Sequence, residues 1–275
     1  ITHSTKYSYQ QPATNAIQIL HLTPRNHESQ YIARWRIDVS PDCWVHQRED
    51  AFGNIAHVFA ASGPLQELSV TAEGEVETRD TQGVIHGTVE RFPPSLFLRQ
   101  TSLTEADENI ASFAAACRQE SGSEPLDLVH VMLERLHELM TYDTDPTHTA
   151  TTASEAFALK RGVCQDLTHV FIAAARNLAI PARYVGGYFR RADGVSEQDA
   201  GHAWVEAFVP ELGWVALDPA NGICSTDAHV RVAVGLDYLG AAPLRGTRYG
   251  GEGEEMAVKV HVIELPIAGW AASSL

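Results

Sequence analysis

The chain has 275 residues, 44% hydrophobic and 20% charged, enough for one large domain or two ordinary ones with a buried core; this composition excludes a disordered chain. Its formal net charge of −15 speaks against nucleic acid or an anionic membrane surface as the main partner. No apolar run reaches the roughly 18 residues of a membrane span. Four cysteines, Cys43, Cys117, Cys164 and Cys224, form no C-x-x-C pair, which suits a reducing cytosol. The expected location is therefore cytoplasmic, although Ile1 is no initiator Met and a signal peptide removed ahead of it is compatible with the sequence.

Residues 1 to 95 read as all-β and sandwich-like. Trp35, Ile37 and Val39 alternate with Arg34, Arg36 and Asp38, the period of a half-buried strand, and Leu68 and Val70 repeat it. Gly53-Asn54 and Glu73-Gly74 read as turns, and Phe92-Pro93-Pro94 as a domain boundary. Residues 96–275 then form a second domain. Ile110, Phe113 and Cys117 keep helical spacing, which makes Cys117 a core thiol. A stronger helix opens at Ser123 and Pro125 and carries Leu126, Val129, Leu133, Leu136 and Met140 on one face. Thr152 and Glu155 make a capping box for a short helix that stops near Gly162. The next helix starts at or near Cys164 and ends before Pro181. Strands follow at 183–188, 202–209 and 214–218, and Met256, Val258, Val260 and Val262 alternate in a last strand, expected to return to the sheet.

The chemistry lies in Cys164, His202 and Asp218. A helix N-terminus favours a thiolate, and its free N–H groups can receive the oxyanion formed when that thiolate attacks a carbonyl. Arg161 adds a positive charge close by. The strand 202–209 and the strand ending at Asp218 read as a hairpin, which brings His202 and Asp218 to its open end. A turn centred between Glu211 and Leu212 would put Asp218 on the wrong face, so a bulge is required. Thiol nucleophile, imidazole base and orienting carboxylate together make an acyl-transfer apparatus. Taken singly, Cys164 reads as a small buried residue, His202 as a strand histidine and Asp218 as a turn residue.

Four blocks carry a resemblance: Gly162-Val163-Cys164-Gln165-Asp166; Ile180-Pro181-Ala182-Arg183-Tyr184-Val185-Gly186-Gly187-Tyr188; His202-Ala203-Trp204-Val205-Glu206; and Gly213-Trp214 through Asp218-Pro219-Ala220-Asn221-Gly222. In this order they resemble the bacterial transglutaminase-like proteins, over about 125–222, and the β-rich start resembles the N-terminal domain of one bacterial branch. The resemblance implies an α+β fold: a papain/transglutaminase-like core, helices packed on an antiparallel sheet, preceded by an all-β sandwich-like domain. It implies Cys164 as nucleophile, His202 as general base and acid, and Asp218 as the residue that orients His202. It also suggests Tyr142 as an oxyanion donor beside the Cys164 amide. Gln165 and Asp166 are candidates for a structural role, for substrate contact or for both, and Trp204 and Trp214 for walls of the acyl site or a shield of the His202–Asp218 pair. The absence of acidic residues at calcium-loop spacing means that the calcium activation of the animal cross-linkers does not carry over.

The expected function is a thiol-dependent amide or peptide hydrolase acting through a Cys164 acyl-enzyme. The alternatives are an acyltransferase, whose acceptor is an amine, and a non-catalytic binding module. A metal site from Cys164, His202 and Cys224 matches no common zinc spacing, so neither metal nor cofactor is expected. The expected partner is a peptide, protein or small amide substrate.

Overall fold

Two long strands organise the first sheet. The computed structural model describes residues 1–122 and 124–265; in it β1 spans Thr2–Thr23, β2 Gln30–Ser40, β3 Val45–Glu49 and β4 Ile55–Thr78. Ser123, where the sequence opens a helix, lies outside the described residues. Trp35, Ile37 and Val39 of β2 are half-buried and their charged neighbours exposed, as their alternation requires. Gly53 turns the chain between β3 and β4 with a φ of 86°. Glu73-Gly74 makes no turn. It lies within β4, pairs with Arg36 and Trp35 of β2, and the missing Cβ of Gly74 leaves room for the Trp35 ring. Strands β1 and β4 lose register between Ser8 and Ala13. Leu20, Leu22 and Phe59 from one end of the sheet cluster with Leu65, Leu68 and Val70 from the other, so the sheet folds over on a core of its own.

The remaining elements are β5 (Val84–Ile85), α1 (Glu108–Ser121), α2 (Pro125–Leu139), β6 (Thr141–Tyr142), α3 (Ala153–Leu159), β7 (Arg161–Gly162) and α4 (Cys164–Asn177), then β8 (Ala182–Phe189), β9 (Glu197–Gln198), β10 (His202–Val209), β11 (Gly213–Asp218), β12 (Ile223–Cys224) and β13 (His229–Gly235), and finally α5 (Tyr238–Ala241), β14 (Leu244–Gly250) and β15 (Glu254–His261). The second sheet runs β12-β11-β10-β8-β13 with β5 on β11, antiparallel throughout. Every residue of α4 from Gln165 to Arg176 is buried, which identifies it as the central helix. It packs on β8 and β10 while α1, α2 and α3 surround it. Its alanines, Ala173, Ala174 and Ala175, permit that close approach. The Thr152–Glu155 capping box is present at the start of α3.

The last strand does not return to this second sheet. Strands β14 and β15 both pair with β1, and the short β9 is added on β15, so these late strands complete the first sheet. The physical reason is shared burial: Val260 points into the core beneath β1, where an edge strand would otherwise expose an unpaired ladder. The loop between β8 and β10, which leads into His202, is thereby fastened to the first sheet through Gln198 and Val260. Among the described residues, no helix is long and apolar enough to cross a membrane.

Candidate active site

The turn before α4 aims Cys164. Asp166 folds back so that its Oδ2 accepts from the Val163 N–H (2.8 Å) and the Thr147 hydroxyl (2.7 Å). Gly162 makes this possible, because a Cβ there would lie 2.6 Å from the Asp166 carboxylate. Gln165 donates to the Thr149 carbonyl (3.2 Å). Asp166 through Thr147 and Gln165 through Thr149 therefore fasten the 143–151 loop to the helix start. Arg161 is likewise committed, to Asp143 at 2.8 Å. Cys164 itself is half-buried at the first position of α4, with the helix N-terminus behind its thiol.

The hairpin brings His202 to Asp218 without a bulge. Val209 pairs with Gly213 and Val205 with Leu217, leaving a three-residue loop, Pro210-Glu211-Leu212. Glu211 takes a left-handed φ of 69° and Gly213 one of 89°, which closes a loop of odd length. An odd loop gives His202 and Asp218 the same parity, so both face the same side of the sheet. The three-residue loop makes a bulge unnecessary. His202 Nε2 then donates to Asp218 Oδ2 at 2.6 Å.

Asp218 is wholly buried and surrounded by donors. Its Oδ1 accepts from the Ala220 and Asn221 backbone N–H groups (3.1 and 3.3 Å), and its Oδ2 also accepts from the Asn221 side-chain amide at 2.6 Å. Asp-Pro-Ala-Asn-Gly is a turn sequence that ends on Gly222, with φ 65°, against which a Cβ would strike the His137 ring at 2.7 Å. His137 of α2 holds the same turn by donating to the Pro219 carbonyl at 3.1 Å. Burial alone would raise the Asp218 carboxyl, but the positive charge and hydrogen bond of His202, with a further bond from His229, hold it far below the usual carboxylate range. Burial likewise opposes charge on His202, yet Asp218 and then Cys164 outweigh it and push its pKa up to about 10. With Nε2 engaged by Asp218, Nδ1 is the ring atom left for the Cys164 thiol.

His229, at the start of β13, was not among the expected site residues. Its Nε2 lies 3.1 Å from Asp218 Oδ2. The sequence signal there is weak: one histidine at the head of an alternating valine strand. His202, Asp218 and His229 offer three atoms within 4.8 Å of one another, a spacing that could hold a metal ion. The protons do not fit that role. The Thr226 N–H occupies His229 Nδ1 at 3.0 Å, so Nε2 carries the ring proton and has no lone pair for a metal. Cys224 is not part of the site either; its Sγ is 3.4 Å from His130 Nε2.

Tyr142 sits on the parallel β6–β7 pair, opposite Gly162 and half-exposed, at the mouth of the site. Burial, then the charges of Cys164 and Asp218, raise its hydroxyl, while Arg191 pulls it the other way. Trp204 is buried beside the imidazole, its ring centroid 6.1 Å from that of His202 and 5.2 Å from that of His229. Trp214 is elsewhere, a correction to its expected place. It packs on Phe97 and Phe208 (5.3 and 5.4 Å) under the Arg183 guanidinium, roughly 13 Å along β11 from Asp218 at the usual strand rise.

The four thiols differ in environment, and iodoacetamide should discriminate among them. Burial raises Cys43, Cys224 and, to about 11, Cys117. Only Cys164 combines a helix N-terminus with an imidazole partner, so it should alkylate first. Peptide mapping by mass that finds it the slowest of the four would remove it as the nucleophile.

The description "Bacterial transglutaminase-like N-terminal region" matches residues 1–77, and "Transglutaminase-like superfamily" matches residues 112–219. An uncharacterized protein of Mycobacterium leprae is 29% identical over 279 residues, covering 96% of this chain and 98% of its own. The protein-glutamine gamma-glutamyltransferase of Pseudomonas aeruginosa is 30% identical over 154 residues, 48% of this chain but 22% of that protein. A solved structure from Cytophaga hutchinsonii, described as a candidate cysteine protease, has a TM-score of 0.70 at 20% identity and covers 96% of this chain and 91% of its own, which shows the shared fold. Members of this superfamily are cysteine-nucleophile enzymes. The chain thus carries a bacterial transglutaminase-like N-terminal region over its β-rich start and a transglutaminase-like superfamily domain over the segment that holds Cys164, His202 and Asp218.

Proposed function

We propose that this protein is a thiol-dependent amide or peptide hydrolase. The observation that carries the reading is the His202–Asp218 contact of 2.6 Å, which leaves Nδ1 to serve the Cys164 thiol. The Cys164 thiolate attacks the substrate carbonyl carbon, and the Cys164 amide with the Tyr142 hydroxyl receives the negative charge on oxygen. The C–N bond then breaks, and the amine leaves with the proton held by His202. Water, deprotonated by His202, attacks the thioester; the acid departs and the thiol is restored. Asp218 keeps the imidazole oriented through both halves.

The residues around Cys164 favour an open approach. Tyr142, Asn221 and Arg161 are exposed on the rim, which suits a peptide or protein side chain and admits water. The same thioester can instead pass to an amine, and the similarity to a gamma-glutamyltransferase makes that second reading specific. Transfer needs a site that holds the amine and limits water. The test is to acylate Cys164 with a reactive ester and follow decay with and without millimolar primary amine. Free acid as the main product, formed at a rate little changed by amine, supports the hydrolase. A mainly amide product at low amine concentration would make the protein a transferase.

A further inference from the structure

We infer that His229 is a positioning residue for the catalytic pair: it anchors the oxygen of Asp218 on which His202 turns. This rests on the Cys164–His202–Asp218 reading and adds a fourth side chain to it. His202 and His229 reach the same atom, Asp218 Oδ2, at 2.6 and 3.1 Å. His229 is itself fixed. Its side chain is 2% exposed, Phe189 and Trp204 pack on its ring at 4.7 and 5.2 Å, and the Thr226 N–H holds Nδ1 at 3.0 Å. A ring whose Nδ1 accepts a hydrogen bond is neutral and carries its proton on Nε2, so it can only donate to Asp218.

This defines its work. A carboxylate can rotate about Cβ–Cγ, and any rotation of Asp218 would carry His202 Nε2 with it and swing Nδ1 off the thiol. The His229 donor, set at the start of β13 on a buried ring, opposes that rotation. Phe189 also touches both imidazoles, 5.1 Å from His202 and 4.7 Å from His229, so the two rings are held in one packed unit. His229 touches no reacting atom; it acts through Asp218.

Two isosteric variants separate this role from a merely structural one. In His229→Gln the side-chain amide can place N–H near the position of Nε2, keeping the bond to Asp218 and losing the one from Thr226. In His229→Asn the side chain keeps an acceptor near Nδ1 for Thr226 but falls short of Asp218. The readout is the rate of Cys164 alkylation by iodoacetamide near neutral pH, with far-ultraviolet circular dichroism and thermal melting to confirm folding. His229→Asn should slow alkylation by about tenfold or more, the scale of one hydrogen bond to a charged group, and His229→Gln should restore most of it. The reverse order would show that His229 only holds its turn, and equal rates, whether both normal or both impaired, would show that its donor to Asp218 is unused; each overturns the inference. His202→Ala in the same assay keeps the two readings apart. If it leaves Cys164 alkylation at the native rate, the Cys164–His202 pairing itself is wrong, whatever His229 does.

Discussion

Asp218→Asn is expected to lower turnover of an activated ester by about 10⁴-fold, the scale found when the buried orienting aspartate of a serine protease becomes asparagine. The reason here is specific to the donors. Both carboxylate oxygens of Asp218 accept, Oδ1 from two backbone N–H groups and Oδ2 from His202, His229 and Asn221. An asparagine must turn its own NH₂ toward one of these sets, donor against donor. If it faces His202, the imidazole must move its proton to Nδ1 and can no longer accept the thiol proton. The variant should remain folded, because the apolar face of β11, with Val215 and Leu217, still packs in the main core. Steady-state kinetics on the folded variant provide the check. Activity within about tenfold of native would mean that Asp218 does not orient His202.

Glu206→Ala is expected to cost about 3–5 kcal/mol of stability, the range for removing one partner of a buried ion pair. Glu206 is wholly buried; its Oε2 accepts from Arg183 Nε at 2.6 Å and its Oε1 from Arg231 Nε at 2.7 Å. Arg183, 1% exposed, also meets Glu90 of the connecting segment and lies over the Trp214 ring, 3.9 Å from its centroid. Without Glu206, Arg183 would keep only the Glu90 carboxylate and Arg231 would lose the carboxylate it pairs with. Burial on its own would raise the Glu206 carboxyl, but Arg231 and Arg183 hold its pKa down to about 2. A depressed carboxylate contributes stability that is present above its ordinary pKa of 4.5 and is lost as the pH falls toward 2. Native protein should therefore lose stability in urea titrations across that window, and Glu206→Ala should show a flatter dependence. A loss below about 1 kcal/mol at neutral pH would show the cluster to be worth no more than a surface pair.

Cys164, His202 and Asp218 were legible because each is set by contiguous residues. Gly162 permits the tight turn that starts α4, period-two alternation makes 202–209 a strand, and Asp-Pro-Ala-Asn-Gly is a turn by its own chemistry. The helical spacing of the main core was readable for the same reason: Val129, Leu133 and Leu136 share a face whatever they pack against.

What the sequence could not supply was partnership across distance. The register of the hairpin turned on one residue, and only the left-handed Glu211 showed that the loop has three residues rather than an even number. Trp214 shares the parity of Asp218 but not its end of the strand, so alternation placed it on the right face and in the wrong place. His229 follows Asp218 by eleven residues, yet meets it across the sheet because β13 pairs with β8, as β10 does, a choice made by burial of the whole sheet. In the same way β15 alternates equally well for either sheet. Local sequence specifies the period of a strand and the chemistry of a turn; which strand lies beside it depends on the apolar face the whole chain must cover, and only the tertiary structure decides that.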